Sequence, residues 1–179
     1  LIISILTPFA FYLFLNTIKD FLSNKQKNFS QKISHFGFSF LILSILLNSI
    51  FSSEIITNLK VGETFDTKNT KIIFENIIQK KEKNYQSIIG NFSIQNPNGK
   101  IENLSPELRI YNQPNIVTSE ADIKTTLLSD KFIVINLVPN QELFNVRYQV
   151  KPFMLWIWIS VILISIGGLL SFAKKEYEK

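Results

Sequence analysis

Three apolar runs, Leu1–Ile18, Ile33–Phe51 and Phe153–Phe172, govern what this chain can fold into, because each is free of Asp, Glu, Lys and Arg and approaches the roughly 20 residues that cross the hydrocarbon core of a bilayer. Segments of that length and character predict an integral membrane protein with transmembrane helices over 1–18, 33–51 and 152–173. The overall balance of 46% apolar and 18% charged residues is wrong for disorder. The first run begins at Leu1 with no basic stretch before it and no small-x-small cleavage pattern after it, so a signal peptide is poorly supported. The expectation is a fragment whose true N-terminal part lies elsewhere.

Net charge is +5, yet its placement removes nucleic acid as a partner. Between Ser52 and Lys151 stand 12 basic and 11 acidic residues; the remaining 7 basic and 3 acidic residues lie in the loop 19–32 and the tail 174–179. A nucleic-acid footprint needs a basic face on the folded domain, and this domain is nearly neutral. Short basic flanks mark instead the cytoplasmic ends of spans. The loop 19–32 and the tail 174–179 are therefore expected inside, with residues 52–151 outside.

That middle segment is long enough for a domain and carries a strand pattern, rich in Ile, Val, Phe and Thr with a turn every ten or so residues. Strands are predicted at Thr70–Ile78, Tyr85–Gln95, Lys100–Leu104, Glu107–Tyr111, Ile116–Thr125, Phe132–Leu137 and Leu143–Val150. Asn96-Pro97-Asn98-Gly99 contains an Asn-Gly hairpin signal, and Pro106, Pro114 and Pro139 act as breakers. A short helix is expected at Thr125–Asp130. The fold class is thus an α+β membrane protein, with three transmembrane helices and an extracytoplasmic antiparallel sandwich or partly open barrel between the second and third.

Chemistry-bearing residues are few. The absence of cysteine excludes disulfides, Cys-based zinc sites, iron–sulfur clusters and thiol nucleophiles. No phosphate-binding glycine loop, zinc-protease histidine pair or nucleophile elbow occurs. Glu54, Glu63, Glu107, Glu120 and Asp122 are dispersed over a charge-balanced domain and read as solvated or paired. A transporter is disfavoured because no charge sits near the middle of a span. The single histidine, His35, opens the second run, where an ionisable side chain either faces a bundle interior or bound group, or lies among headgroups. Gly37 two residues on admits close approach of a flat ligand or of another helix. Trp156 and Trp158 suit an interfacial anchor, and Gly167-Gly168 suits helix packing.

The ordered set Ser34-His35-Phe36-Gly37, Asn84-Tyr85 through Gly90, Pro106-Glu107-Leu108-Arg109-Ile110-Tyr111, Thr118-Ser119-Glu120-Ala121-Asp122-Ile123, and Lys151-Pro152-Phe153 with Trp156-Ile157-Trp158 before Gly167-Gly168 resembles the C-terminal portion of the CcmF family, the haem lyase subunit of cytochrome c maturation. The resemblance spans most of residues 30–173. It implies a membrane protein of the bacterial or mitochondrial inner membrane, with 52–151 on the periplasmic or intermembrane side. Such a protein takes haem from a haem chaperone and joins its vinyl groups to the Cys-x-x-Cys-His thiols of apocytochrome c. It also implies a transmembrane haem b for which His35 matches one axial ligand, the second lying outside this chain. The Trp-rich haem-handling segment and the periplasmic histidines of the family have no match here, so the chain alone should not perform the attachment. The implied partners are the missing N-terminal part or a separate lyase subunit, the haem chaperone, apocytochrome c and a small membrane partner of the lyase. The alternative is a non-enzymatic membrane-anchored β-domain adaptor in which His35 is merely interfacial.

Overall fold

The computed structural model describes residues 2–23, 28–67, 70–139 and 141–177. Part of the basic loop, 24–27, and the last two residues of the basic tail lie outside the described residues. Three helices, α1 (Ile2–Leu22), α2 (Phe29–Phe51) and α3 (Met154–Tyr177), bracket ten strands: β1 (Ser53–Leu59), β2 (Thr64–Asp66), β3 (Lys71–Lys81), β4 (Tyr85–Gln95), β5 (Ile101–Leu104), β6 (Glu107–Tyr111), β7 (Val117–Glu120), β8 (Asp122–Thr125), β9 (Ser129–Leu137) and β10 (Phe144–Pro152). The chain forms two compact units, one holding the helices with residues 125–130, the other holding 53–124 and 131–150.

Each helix contains a stretch long and apolar enough to cross a membrane: Ile5–Leu22, Phe29–Phe51 and Met154–Ala173. Their packing reverses the arrangement of a water-soluble core. The buried residues of α2 are Ser30, Gly37, Ser39, Leu43 and Ser44, whereas Phe38, Ile45, Ile50 and Phe51 are exposed. Lipid tails are as apolar as leucine, so helices in a bilayer associate through small residues and hydroxyl bonds rather than by burying large side chains. Accordingly the Thr17 and Ser39 hydroxyls meet at 2.6 Å between α1 and α2; the same pair of helices also uses ring packing, Phe14 lying on Phe36 and Phe40 with ring centroids 5.6 and 5.4 Å apart.

The second unit is a β-sandwich. One sheet runs β1-β10-β9-β8 and the other β2-β3-β4-β6-β7, with β5 also paired to β4. Strand alternation supplies its core: Ile72 and Phe74 of β3, Phe92 and Ile94 of β4, Ile133 and Ile135 of β9, and Val146 and Tyr148 of β10 are all buried, as period-two side-chain placement requires. Phe74 and Phe92 are cross-strand partners with stacked rings 4.4 Å apart. Gly99 ends the β4–β5 turn with φ 77° and open space around it, so Gly99→Ala introduces no clash and costs only the left-handed backbone penalty, about 1 kcal/mol. Chemical denaturation of the purified chain measures that loss.

Three features depart from expectation. Strands β1 and β2 were not predicted, since Ser53–Leu59 continues directly from a span and β2 has three residues. The predicted strand Ile116–Thr125 breaks at Ala121, sending β7 to one sheet and β8 to the other, while the Asp122 carboxylate accepts the Ser105 N–H at 2.6 Å. The helix expected at Thr125–Asp130 is instead a tight turn. The Thr126 N–H donates to Ser129 O at 3.0 Å, and the Thr126 hydroxyl accepts the Ser129 N–H at 3.1 Å. Local hydroxyl-to-backbone bonds of this kind compete with helix formation.

Candidate functional site

His35 lies six residues past the start of α2, about 9 Å along the helix axis. Helical spacing puts Gln31, His35, Phe38, Ile45 and Ser49 on one exposed stripe, while Gly37 and Ser44 turn toward the neighbouring helices. Among the described residues no hydrogen bond or ion pair is formed by the His35 ring, and no three His, Asp or Glu side chains converge as a metal cage. The imidazole is therefore presented outward from this bundle, between Gln31 one turn before it and Phe38 one turn after it on the same stripe. A porphyrin metal held here would require an imidazole nitrogen open to it and a second ligand from another segment, and the unengaged His35 ring meets the first requirement.

Gly37 faces α3. A Cβ there would stand 3.0 Å from the Ile164 side chain and backbone and from Leu163, so the close approach that this glycine allows is that of a helix. Gly167 makes the reciprocal contact: a Cβ there would overlap the Ser34 hydroxyl and fall 2.8 Å from Ser30 O and Ser34 N. Ser34 precedes His35, so the α2–α3 contact fixes the rotation of α2 and with it the direction of the imidazole. Gly168 has nothing within 4 Å. Gly167→Ala is thus expected to destabilise the bundle by about 1–3 kcal/mol through overpacking, and Gly168→Ala to be silent. Thermal melting of the two variants in one detergent makes the comparison.

At the other face of this contact Phe40 packs on Trp156 at 5.3 Å. Near the start of α2, Lys32 Nζ donates to Ser23 O at 2.5 Å, placing a cation at the C-terminal end of α1, where the helix dipole favours it.

In the sandwich the carboxylates singled out in the sequence are engaged. Glu54 pairs with Arg147 at 2.5 Å and Glu107 with Arg109 at 2.8 Å, Glu63 accepts the Lys60 N–H at 2.8 Å, and Glu120 accepts from Thr118 at 3.3 Å. The Arg109 guanidinium holds the Glu107 carboxyl below the ordinary carboxylate range. A buried network went unseen in the sequence: Lys131 Nζ donates to Glu102 at 2.9 Å and to Asn96 Oδ1 at 2.7 Å. Only 15% of the lysine and 7% of the glutamate side chain is exposed. Nothing in the sequence signals it, because the two residues stand 29 positions apart.

Three apolar helices and an antiparallel sandwich inserted between the last two define a membrane-anchored β-sandwich protein. Its sandwich is that of a known family: the family model described as the CcmF C-terminal beta-sandwich matches residues 50–152. The chain belongs to the CcmF family of cytochrome c biogenesis. It is 30% identical over 146 residues to the cytochrome c-type biogenesis protein CcmF of Pseudomonas fluorescens and 25% identical over 146 residues to that of Pseudomonas aeruginosa, covering in both cases 82% of this chain and 22% of the relative. The chain therefore spans about a fifth of the length of these curated relatives. The solved structure of a cytochrome c heme lyase CcmF superposes with a TM-score of 0.68 at 16% identity, covering 91% of this chain and 30% of that one, and shares the fold.

Proposed function

We propose that the chain is the C-terminal part of a haem lyase subunit for cytochrome c maturation, which accepts haem from a haem chaperone and attaches it to apocytochrome c, with His35 as one axial ligand of a transmembrane haem b. The observation that carries this reading is an outward imidazole on a membrane-depth helix, unengaged by its own bundle, with Phe38 one turn on along the same exposed stripe. When bound, haem b supplies one-electron chemistry that keeps the transferred haem reduced. The chain's own contribution is to hold the imidazole at a fixed rotation through the Gly37 and Gly167 contacts, and to place the apolar Phe38 ring one turn from it, where a neighbouring side chain can tune a bound metal. The sandwich serves as a scaffold for the apocytochrome or the haem chaperone. The basic loop and tail lie in the cytoplasm or matrix, and the sandwich in the periplasm or intermembrane space. The remaining lyase segments, including the second ligand, come from the rest of the polypeptide or a separate subunit. The test is the reduced absorbance spectrum of the purified assembly, whose b-type signal should vanish in His35→Ala; an unchanged signal leaves the adaptor reading in its place.

A further inference from the structure

The β8–β9 turn presents Leu127 and Leu128 at its tip, 65% and 59% exposed. Turn tips in water favour Gly, Pro, Asn, Asp and Ser, and two adjacent exposed leucines are out of place there. Their backbone, by contrast, is tied down. Leu127 O accepts the Trp156 indole N–H at 2.9 Å, and Leu128 O accepts the Phe153 N–H at 2.8 Å. Within the turn the Thr126 N–H donates to Ser129 O, and the Ser129 N–H donates to the Thr126 hydroxyl. Phe153 holds φ 61°, a left-handed conformation that a non-glycine residue keeps only when its surroundings fix it, and the bond to Leu128 is such a fixture.

These contacts set the turn at the level of the first turn of α3, the apolar helix that carries Trp158, itself 60% exposed. Tryptophan at the end of a span marks the headgroup boundary. Non-helical backbone enters that zone only when its polar groups are satisfied. The segment 125–129 carries no charge, satisfies both leucine carbonyls and displays only apolar side chains at its tip. We propose that the β8–β9 turn is a membrane-dipping hairpin, with Leu127 and Leu128 inserted into the interfacial zone of the lipid bilayer beside the first turns of α3. The proposal rests on α3 crossing a bilayer and stands apart from haem ligation.

The chain has no native thiol, so Leu128→Cys labelled with a solvent-sensitive fluorophore reports on this site. The labelled chain, with any companion subunit that purifies with it, is reconstituted into phosphatidylcholine–phosphatidylglycerol vesicles. The expected result is a blue-shifted emission quenched by lipids bearing a nitroxide near the headgroup end of the acyl chain. The same label at Asn98→Cys, on the exposed polar β4–β5 turn, gives the aqueous reference, quenched by iodide. Loss of nitroxide quenching at position 128 overturns the proposal, whether the label is then open to iodide or shielded from both quenchers by another polypeptide. Should Leu128→Cys fail to fold, Leu127→Cys carries the same readout with the same two outcomes.

Discussion

Replacing His35 by glycine is expected to abolish the b-type haem absorbance of the purified assembly, and free imidazole to restore it. The expectation follows from where the residue stands. His35 is exposed on α2 and makes no internal bond among the described residues, so its removal takes nothing from the bundle except helix propensity, about 1 kcal/mol for glycine in a helix interior. The sandwich has its own core, so its melting should not move. Loss of absorbance without loss of fold is then a ligand effect. Rescue by a small soluble imidazole, which can enter the space vacated by the side chain, distinguishes a missing axial ligand from a disturbed helix. Phe38→Leu keeps the exposed apolar flank one turn away and should leave the band in place with a small shift, because surrounding side chains tune a metal without binding it. A full-strength band in His35→Gly before any imidazole is added would remove this residue from the haem site.

The candidate residue stood out in the sequence because chemistry-bearing side chains are scarce. One histidine in 179 residues, on an apolar run, leaves few roles to weigh, and the same runs announce the helices. Strands with clean alternation and clear breakers were equally readable: Tyr85–Gln95 and Glu107–Tyr111 form over the predicted residues, and Asn98-Gly99 turns between β4 and β5. Legibility fails where a decision belongs to tertiary structure. Ala121 carries no breaker signal, yet the chain changes sheets there. Thr125–Asp130 reads as weakly helical until the Thr126–Ser129 bonds and the contacts to Phe153 and Trp156 make it a turn. The glycines of two spans were visible, but that Gly167 meets Ser34 depends on helix rotation, which only packing fixes. The Lys131–Glu102 pair depends on the facing of two sheets, and no local pattern encodes that.

That pair yields the largest expected change in stability. Lys131→Met should cost about 3–5 kcal/mol, because it leaves the Glu102 carboxylate buried without its main partner; Lys100, 3.8 Å away and 65% exposed, is too solvated to replace it. Adding Glu102→Leu to Lys131→Met should recover most of the loss, since an apolar pair of similar volume has no charge to desolvate. The response to acid separates the two contributions further. Burial pushes the Glu102 carboxyl up, but Lys131, Asn96 and Lys100 together outweigh it and hold it below its ordinary value of 4.5. A carboxyl depressed in the folded state contributes stability that is complete above its unfolded pKa and is lost as pH falls through the folded one. The native pair should therefore weaken only in acid, below about pH 4.5. In Lys131→Met the lysine's contribution is gone and burial is opposed only by Asn96 and Lys100, so the folded-state carboxyl gives up its proton less readily than in the native pair, and the variant should lose less stability in acid than the native chain does. Urea unfolding of the full chain in detergent, followed by the near-ultraviolet signal of the sandwich aromatics at neutral and acid pH, should show the stability gap between the two proteins narrowing as pH falls. A constant gap would mean that Glu102 is not held charged by Lys131 in the folded sandwich.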